Sequence, residues 1–104
     1  VAIPEYRNKK IIAAKRKELR GKDSYLCQAF NMGSFKKNIG ELKRYASEHL
    51  PEVIYLNEFH SVTEEEFKKE IKRMQYKIVS MVFTKKKNND NMTRGAAIIV
   101  RDDY

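Results

Sequence analysis

The chain contains 104 residues, of which 41% are hydrophobic, and it has a formal net charge of +8. This length supplies one small domain with a modest core, and the single cysteine excludes a disulfide framework within the chain. Since there is no run of about 18 apolar residues and no N-terminal signal pattern, we expect an intracellular protein, nuclear or cytoplasmic, without a membrane span.

Positive charge is concentrated near the start of the chain. Residues 5–22 hold eight lysines and arginines against two glutamates, so a net +6 of the total +8 lies in this segment. Such a segment suits a polyanion, most often nucleic acid, although an acidic partner, an anionic membrane surface or a solubilising role is also compatible with the charge. Residues 11–19 favour a short helix. We therefore assign residues 1–22 to a basic, partly helical arm that contacts nucleic acid through Lys15, Arg16 and Lys17.

The first predicted strand covers residues 25–30, whose sequence is YLCQAF. It is apolar on both faces except at Gln28, which is typical of a central strand covered by helices. Cys27 lies inside this apolar run, and we predict that it is a small buried core residue.

A turn over residues 31–34 leads into the first predicted helix, for which Ser34 is the expected N-cap. The apolar positions between Phe35 and Ala46 recur at helical spacing and share one face, and Pro51 ends the pattern. The helix is therefore expected to pack one face on the sheet and to expose its lysines and arginines.

The apolar run Val53–Leu56 ends abruptly in Asn57 and Glu58. This pattern predicts an interior strand that delivers a carboxylate to its C-terminal edge, where α/β sheets bind ligands. The helix between the two strands makes them a right-handed β-α-β unit with parallel strands. Because the ends of parallel neighbours lie side by side, Asn31 and Glu58 are expected within a few ångströms of each other.

The second helix has a clear N-terminal signal. Thr63 is the expected N-cap, Glu66 completes a capping box, and Val62 with Phe67 forms a hydrophobic staple. The glutamates of the first turn complement the helix dipole, so we interpret them as structural and not as metal ligands.

Residues 76–83 and 95–100 are predicted to form an antiparallel pair of strands joined by a polar loop over residues 84–93. The predicted order is β-α-β-α-β-β, and residues 23–104 are expected to form the α/β domain, one half of a two-layered α/β-sandwich. The basic loop between the strands offers further phosphate contacts at Lys85, Lys86 and Lys87, although such a loop is more often only a solvated tip.

Three of these segments carry a resemblance. The first strand ends in Asn31, the second ends in Asn57 and Glu58, and the last begins at Arg94 and Gly95. In this order they resemble the N-terminal half of the endonuclease/exonuclease/phosphatase superfamily, most nearly the apurinic-type endonuclease domain of non-LTR retrotransposons. In that family the first strand ends in asparagine, the second ends in Gln-Glu or Asn-Glu, and a Gly-Val-Ala-Ile-Leu-like strand follows.

The resemblance implies a role for each of these residues. Glu58 would be the carboxylate ligand of a catalytic Mg²⁺ or Mn²⁺ ion, and Asn31 would orient that carboxylate or a phosphate oxygen. Asn57 would hold Glu58 in position without contacting the metal ion itself, and Arg94 would contact phosphate. Without the resemblance, Glu58 is a charged strand end and Asn31 is a turn residue.

The family also uses an Asp-x-Asn pair, a later asparagine and a closing Asp-His pair in its second half. None of these has a counterpart here, and neither His49 nor His60 matches the closing histidine. We therefore expect the chain to carry only the first part of an active site, as a fragment, one part of a split enzyme or a decayed copy. A half-domain of this kind exposes sheet surface, which favours a homodimer or a partner chain.

The sequence is compatible with two functions. The first is metal-dependent phosphodiester cleavage of nucleic acid, with DNA the favoured substrate. The alternative is a non-catalytic module that binds nucleic acid through its basic residues, or that binds another protein through its exposed sheet. The order of the strands argues against an RNA-recognition sheet.

Overall fold

A computed structural model of the chain describes residues 14, 15, 18, 25–85 and 91–102. Its strands and helices follow the predicted order β-α-β-α-β-β, which confirms the fold class. They are β1 (Cys27–Ser34), α1 (Phe35–His49), β2 (Val53–His60), α2 (Glu64–Arg73), β3 (Tyr76–Lys85) and β4 (Met92–Arg101).

The four strands form one mixed sheet in the order β1-β2-β4-β3. Strands β1 and β2 are parallel, with Ala29 opposite Tyr55, whereas β4 runs antiparallel to both β2 and β3. The predicted parallel pair and the predicted hairpin are therefore confirmed. Strand β2 is an interior strand, as its apolar run predicts, because β4 inserts between it and β3.

The core lies between one face of this sheet and the two helices. The helices contribute Phe35, Leu42, Phe67 and Ile71, and the strands contribute side chains from every second position. Each of these residues is fully or almost fully buried. The strand contribution to the core includes Met32, Ile54, Leu56, Phe59, Tyr76, Ala97 and Ile99. Both helices thus cover the same face, and the domain has two layers.

The prediction that β1 is a central strand is wrong, because β1 lies at the edge of the sheet. Its residues alternate between the helix-covered face and the opposite face, and Cys27, Ala29 and Asn31 are exposed on the latter. The predicted burial of Cys27 is therefore also wrong. A strand that is apolar on both faces is buried on both faces only where each face of the sheet is covered. The described helices cover one face of this sheet.

The strands are longer than their apolar runs. Strand β1 continues through the predicted turn to Ser34, and β2 continues past Glu58 to His60. The prediction that Asn31 and Glu58 end their strands is therefore wrong by a few residues. The hairpin strands likewise extend to Lys85 and from Met92, so the connection is shorter than predicted. Backbone pairing across the sheet continues where side-chain hydropathy no longer indicates a strand.

The predicted helix boundaries are accurate. Thr63 precedes α2 and its hydroxyl accepts a 3.1 Å hydrogen bond from the Glu66 amide, which confirms the cap. Ser34 occupies the N-cap position of α1 without a side-chain capping bond. Leu50 closes α1 in a left-handed conformation, and its amide donates to the Ala46 carbonyl. None of the described helices is long and apolar enough to cross a membrane.

Candidate functional site

The site begins with a contact between the two parallel strands. Asn31 on β1 and Asn57 on β2 are register partners, and Glu58 follows directly. The Asn31 side-chain amide Nδ2 donates a 3.4 Å hydrogen bond to Oε2 of Glu58. The expected proximity of Asn31 and Glu58 is therefore confirmed, although the pair lies shortly before the ends of its strands.

An irregularity of β2 sets the position of Glu58. The pairing of β2 with β4 shifts register between Leu56 and Phe59, so the strand bulges at Asn57 and Glu58. Glu58 has a φ of 51°, in the left-handed region. The other described non-glycine residues with positive φ follow a helix or a strand, so Glu58 is the one that lies inside a strand. A residue in this conformation costs about 1–3 kcal/mol, and such outliers cluster at functional sites.

The bulge has a physical consequence for the carboxylate. Leu56 and Phe59 are both fully buried on the helix-covered face, although they are three positions apart, whereas residues on one face of a regular strand are an even number of positions apart. The extra residue allows Phe59 to return to the core, while Glu58 stays exposed beside Asn31. The sequence therefore keeps an aromatic core residue and an exposed carboxylate next to each other.

Arg94 lies near this carboxylate. A shallow depression on the sheet is lined by Glu58, Asn57, Arg94, Thr84 and Ala96, among others. The depression is formed by β2 and the β3–β4 hairpin, and it places a guanidinium and a carboxylate at one surface. An arginine in this position suits a phosphate oxygen, which it binds with parallel N–H donors.

Thr84, predicted to lie in the polar loop, belongs to β3 and lines the depression. It pairs with Arg94 in the strand register, and its hydroxyl oxygen lies 2.8 Å from the Thr93 hydroxyl oxygen. The sequence signal for this position is the alternation of inward and outward residues in β3, which Thr84 continues after the last apolar residue of the strand.

The predicted lysine contacts lie elsewhere or outside the described residues. Lys85 is 3.5 Å from a carboxylate oxygen of Glu64 at the start of α2, and its ammonium lies 5.6 Å from the ring centre of Phe83. Lys15 donates a 3.1 Å hydrogen bond to the Ser47 carbonyl near the C-terminal end of α1. This helix end leads to the start of β2, whereas Glu58 lies near the end of that strand. Outside the described residues are Arg16, Lys17, Lys86 and Lys87.

The oxygen donors near Glu58 are few. No cluster of three or more His, Cys, Asp or Glu side chains suited to a metal ion occurs among the described residues. His60 points its Nδ1 at the Ser61 hydroxyl, 2.8 Å away. One carboxylate is nevertheless sufficient for a Mg²⁺ ion that keeps several waters and shares substrate phosphates, so the exposed Glu58 carboxylate fits such an ion in part.

Lowered pKa values occur on the helices and not at this site. The Lys68 ammonium, helped by Lys85, lowers the pKa of Glu64, and the Lys43 ammonium, helped by Arg73, lowers the pKa of Glu70. The Glu64–Lys68 pair lies within α2, and the Glu70–Lys43 pair joins α2 to α1.

Comparison of the chain with protein-family models, with curated proteins and with solved structures found no match in any of the three.

Proposed function

We propose that the chain carries part of the active site of a metal-dependent endonuclease that cleaves phosphodiester bonds in nucleic acid, with DNA the favoured substrate. The observation that supports this most is the Asn31–Glu58 hydrogen bond beside a β-bulge, with the Glu58 backbone in a left-handed conformation. The return of Phe59 to the core accounts for the bulge but not for a carboxylate at position 58, where glycine would adopt this conformation at lower cost, whereas a binding site accounts for the charge.

Three side chains would have separate roles in the reaction. Glu58 would hold Mg²⁺ or Mn²⁺, which supplies charge stabilisation to a phosphate under attack. Asn31 orients the carboxylate by donating Nδ2–H to Oε2. Arg94, on the same depression, binds a phosphate oxygen and neutralises charge. Asn57 supports the bulge from the preceding position. The attacking water requires further groups, since the described residues contain no cluster of three or more His, Cys, Asp or Glu side chains suited to a metal ion.

The positive charge of the chain favours the alternative function, a module that binds nucleic acid without cleaving it. The chain has a net charge of +8, and the arm, Arg94 and the lysines at 85–87 supply cations for phosphates. Such binding releases counterions and weakens steeply with salt. In this version Glu58 has no role in chemistry, and the exposed sheet serves a partner chain or a second copy.

The change Glu58→Gln separates the two functions, because glutamine keeps the shape of the side chain and removes the charge that holds the cation. We expect the nicking of supercoiled plasmid DNA in Mg²⁺ by the protein that carries this chain to fall by about 100-fold or more. Binding of the same DNA, measured by fluorescence anisotropy without divalent ions, should remain within about twofold.

The matched control is Glu41→Gln, the same chemical change at an exposed position of α1. It should alter neither nicking nor binding. Unfolding by urea should give nearly the same stability for both variants, because each removes an exposed charge. If Glu58→Gln nicks DNA at the wild-type rate, the metal role is wrong and the binding module is the better description.

A further inference from the structure

The face of the sheet opposite the helices is apolar at its centre. Strand alternation places Ala29 and Tyr55, and next to them Ile98 and Ser80, in one row across the four strands on this face. Tyr55 is 42% exposed and Ile98 is 38% exposed. The neighbouring rows add the apolar residues Cys27, Val53, Val100, Ala96 and Val82.

A sheet with one solvated face normally carries polar side chains on it. Here the exposed large hydrophobic residues collect on the open face instead, including Val79 at 61% and Val82 at 68% exposure. Val79 is the extra residue of a β3 irregularity beside Ser80, and both face outwards. A contiguous apolar patch with a polar rim marks an interaction surface, because water alone would favour polar residues there.

The charges on this face are confined to its rim. Glu58 on β2 and Arg94 on β4 lie towards the end at which the parallel strands finish, and Lys77 lies on β3 at the other end. The centre line of the sheet runs between β2 and β4. Glu58 and Arg94 therefore lie on opposite sides of that line at the same end.

We propose that this open face binds the same face of a second copy of the chain, with a two-fold axis along the centre line between β2 and β4. Such an axis places each β2 over the partner's β4 and each β1 over the partner's β3. Tyr55 then meets the partner's Ile98. Glu58 meets the partner's Arg94, so that two carboxylates and two guanidinium groups alternate at one end.

Among the described residues of the strands, the same axis brings no like charges into contact. Lys77 shares a row with Val100, Val53 and Cys27, so it meets the uncharged β1 end of that row on the partner. Opposite charges at one end and a neutral surface opposite the lysine make the face complementary to itself, in spite of the net charge of +8.

The size of the face sets the expected affinity. Four strands about 4.8 Å apart make a face roughly 19 Å wide, and the paired segments are of similar length. Two such sheets pack about 10 Å apart with their strands within about 30° of each other. This area is at the low end of the range for specific interfaces, so we expect a dimer with a micromolar dissociation constant.

Sedimentation equilibrium of the whole chain between about 5 and 200 µM tests the proposal, because this range covers micromolar dissociation constants. We expect the mass to rise with concentration from the monomer value of 12.3 kDa towards twice that value. Tyr55→Glu should raise the dissociation constant at least tenfold by placing two charges in the neutral centre. Lys36→Gln, an exposed α1 change that also lowers the net charge by one, should leave the constant within about twofold.

Two further measurements separate loss of the interface from loss of folding. Val82→Lys alters a side chain that is 68% exposed, so it should weaken the dimer as strongly while the far-UV circular dichroism stays unchanged. Arg94→Glu should weaken the dimer about threefold, and the double change Glu58→Arg with Arg94→Glu should restore it, since the axis pairs these positions.

A wild-type chain that stays monomeric at 200 µM overturns the proposal, and the face then belongs to another occupant. A dimer that withstands both Tyr55→Glu and Val82→Lys overturns it too, because the copies would associate through another surface. These masses are measured without DNA or divalent ions. The interface would cover Glu58 and Arg94, so metal and DNA would reach them only in the monomer, which prevails below the micromolar dissociation constant. A nicking assay run at such low protein concentrations therefore tests cleavage separately from the dimer.

Discussion

The two faces of the sheet both carry apolar residues at their centres, but only one of them is covered by helices. On the covered face, Ile54, Leu56 and Ile99 are fully buried beneath the helices, whereas on the open face their direct neighbours Tyr55 and Ile98 are more than a third exposed. Strand alternation assigns successive residues to opposite faces, but it does not say which face is covered. The difference shows that the covered face holds the domain together, whereas no described helix covers the centre of the open face.

The sharpest test of this comparison is Phe59→Ala. The Phe59 ring is fully buried, stacks on Phe67 at 4.5 Å between centroids and meets Phe35 edge-on. Its loss should lower the free energy of unfolding in urea by about 3–5 kcal/mol. Tyr55→Ala, measured where the chain is monomeric, should lower it by less than about 1 kcal/mol. Equal losses would contradict the division into covered and open faces.

A pair of glycines provides the next test. A β-carbon added at Gly95 would overlap the Phe59 ring, lying 2.6 Å from its Cζ atom, and that ring cannot move because Phe67 stacks against it. Gly95→Ala should therefore destabilise the protein by about 1–3 kcal/mol.

The control is Gly40→Ala in the exposed middle of α1, where an added β-carbon meets nothing within 4 Å. It should stabilise the protein by about 0.5–1 kcal/mol, because alanine is the better helix former. Thermal unfolding of both variants measures the two effects. A stabilising Gly95→Ala would mean that β4 does not approach Phe59 as closely as the structure shows.

The smallest effect concerns the outer surface of the helices. Glu70 on α2 lies 2.6 Å from the Lys43 ammonium on α1 and 2.7 Å from the Arg73 guanidinium, and these cations lower its pKa below the ordinary 4.5. A lowered pKa in the folded state stabilises the protein above the ordinary pKa, and this stabilisation disappears as the pH falls through the folded value.

Glu70→Gln should therefore lower the free energy of unfolding by about 0.5–1 kcal/mol at pH 7. The difference from the wild type should shrink as the pH falls below about 4.5, the value at which the unfolded carboxyl group takes up its proton. Urea unfolding at pH 7 and at pH 3 measures both quantities. A difference that is the same at the two pH values would show that the ion pairs do not carry the effect.

Much of the fold follows from local signals in the sequence. The spacing from Phe35 to Ala46 places α1, and Thr63 with Glu66 fixes the start of α2, because capping and helical periodicity act within a few residues. The apolar run from Val53 to Leu56 identifies the interior strand. The proximity of Asn31 and Glu58 could also be predicted, since a helix between two strands makes them parallel and brings their ends together.

Other features depend on contacts between distant residues, and the sequence alone does not reveal them. The positive φ of Glu58 depends on the need of Phe59 to reach the core opposite Gly95, which belongs to another strand. The edge position of β1 and the exposure of Cys27 depend on which strands pair with β4. Pairing between strands joins segments far apart in the chain, so local hydropathy carries little information about it.

Arg101 shows the same limit at the end of β4. An arginine after an apolar run is expected to reach solvent, yet this side chain is 1% exposed and its guanidinium lies 5.3 Å from the ring centre of Tyr76. The sequence determined the helices, the order of the strands along the chain, and the carboxylate and amide that meet between β1 and β2. The tertiary structure decided the covered face, the bulge at Glu58 and the burial of Arg101, because each depends on packing between residues that are distant in sequence.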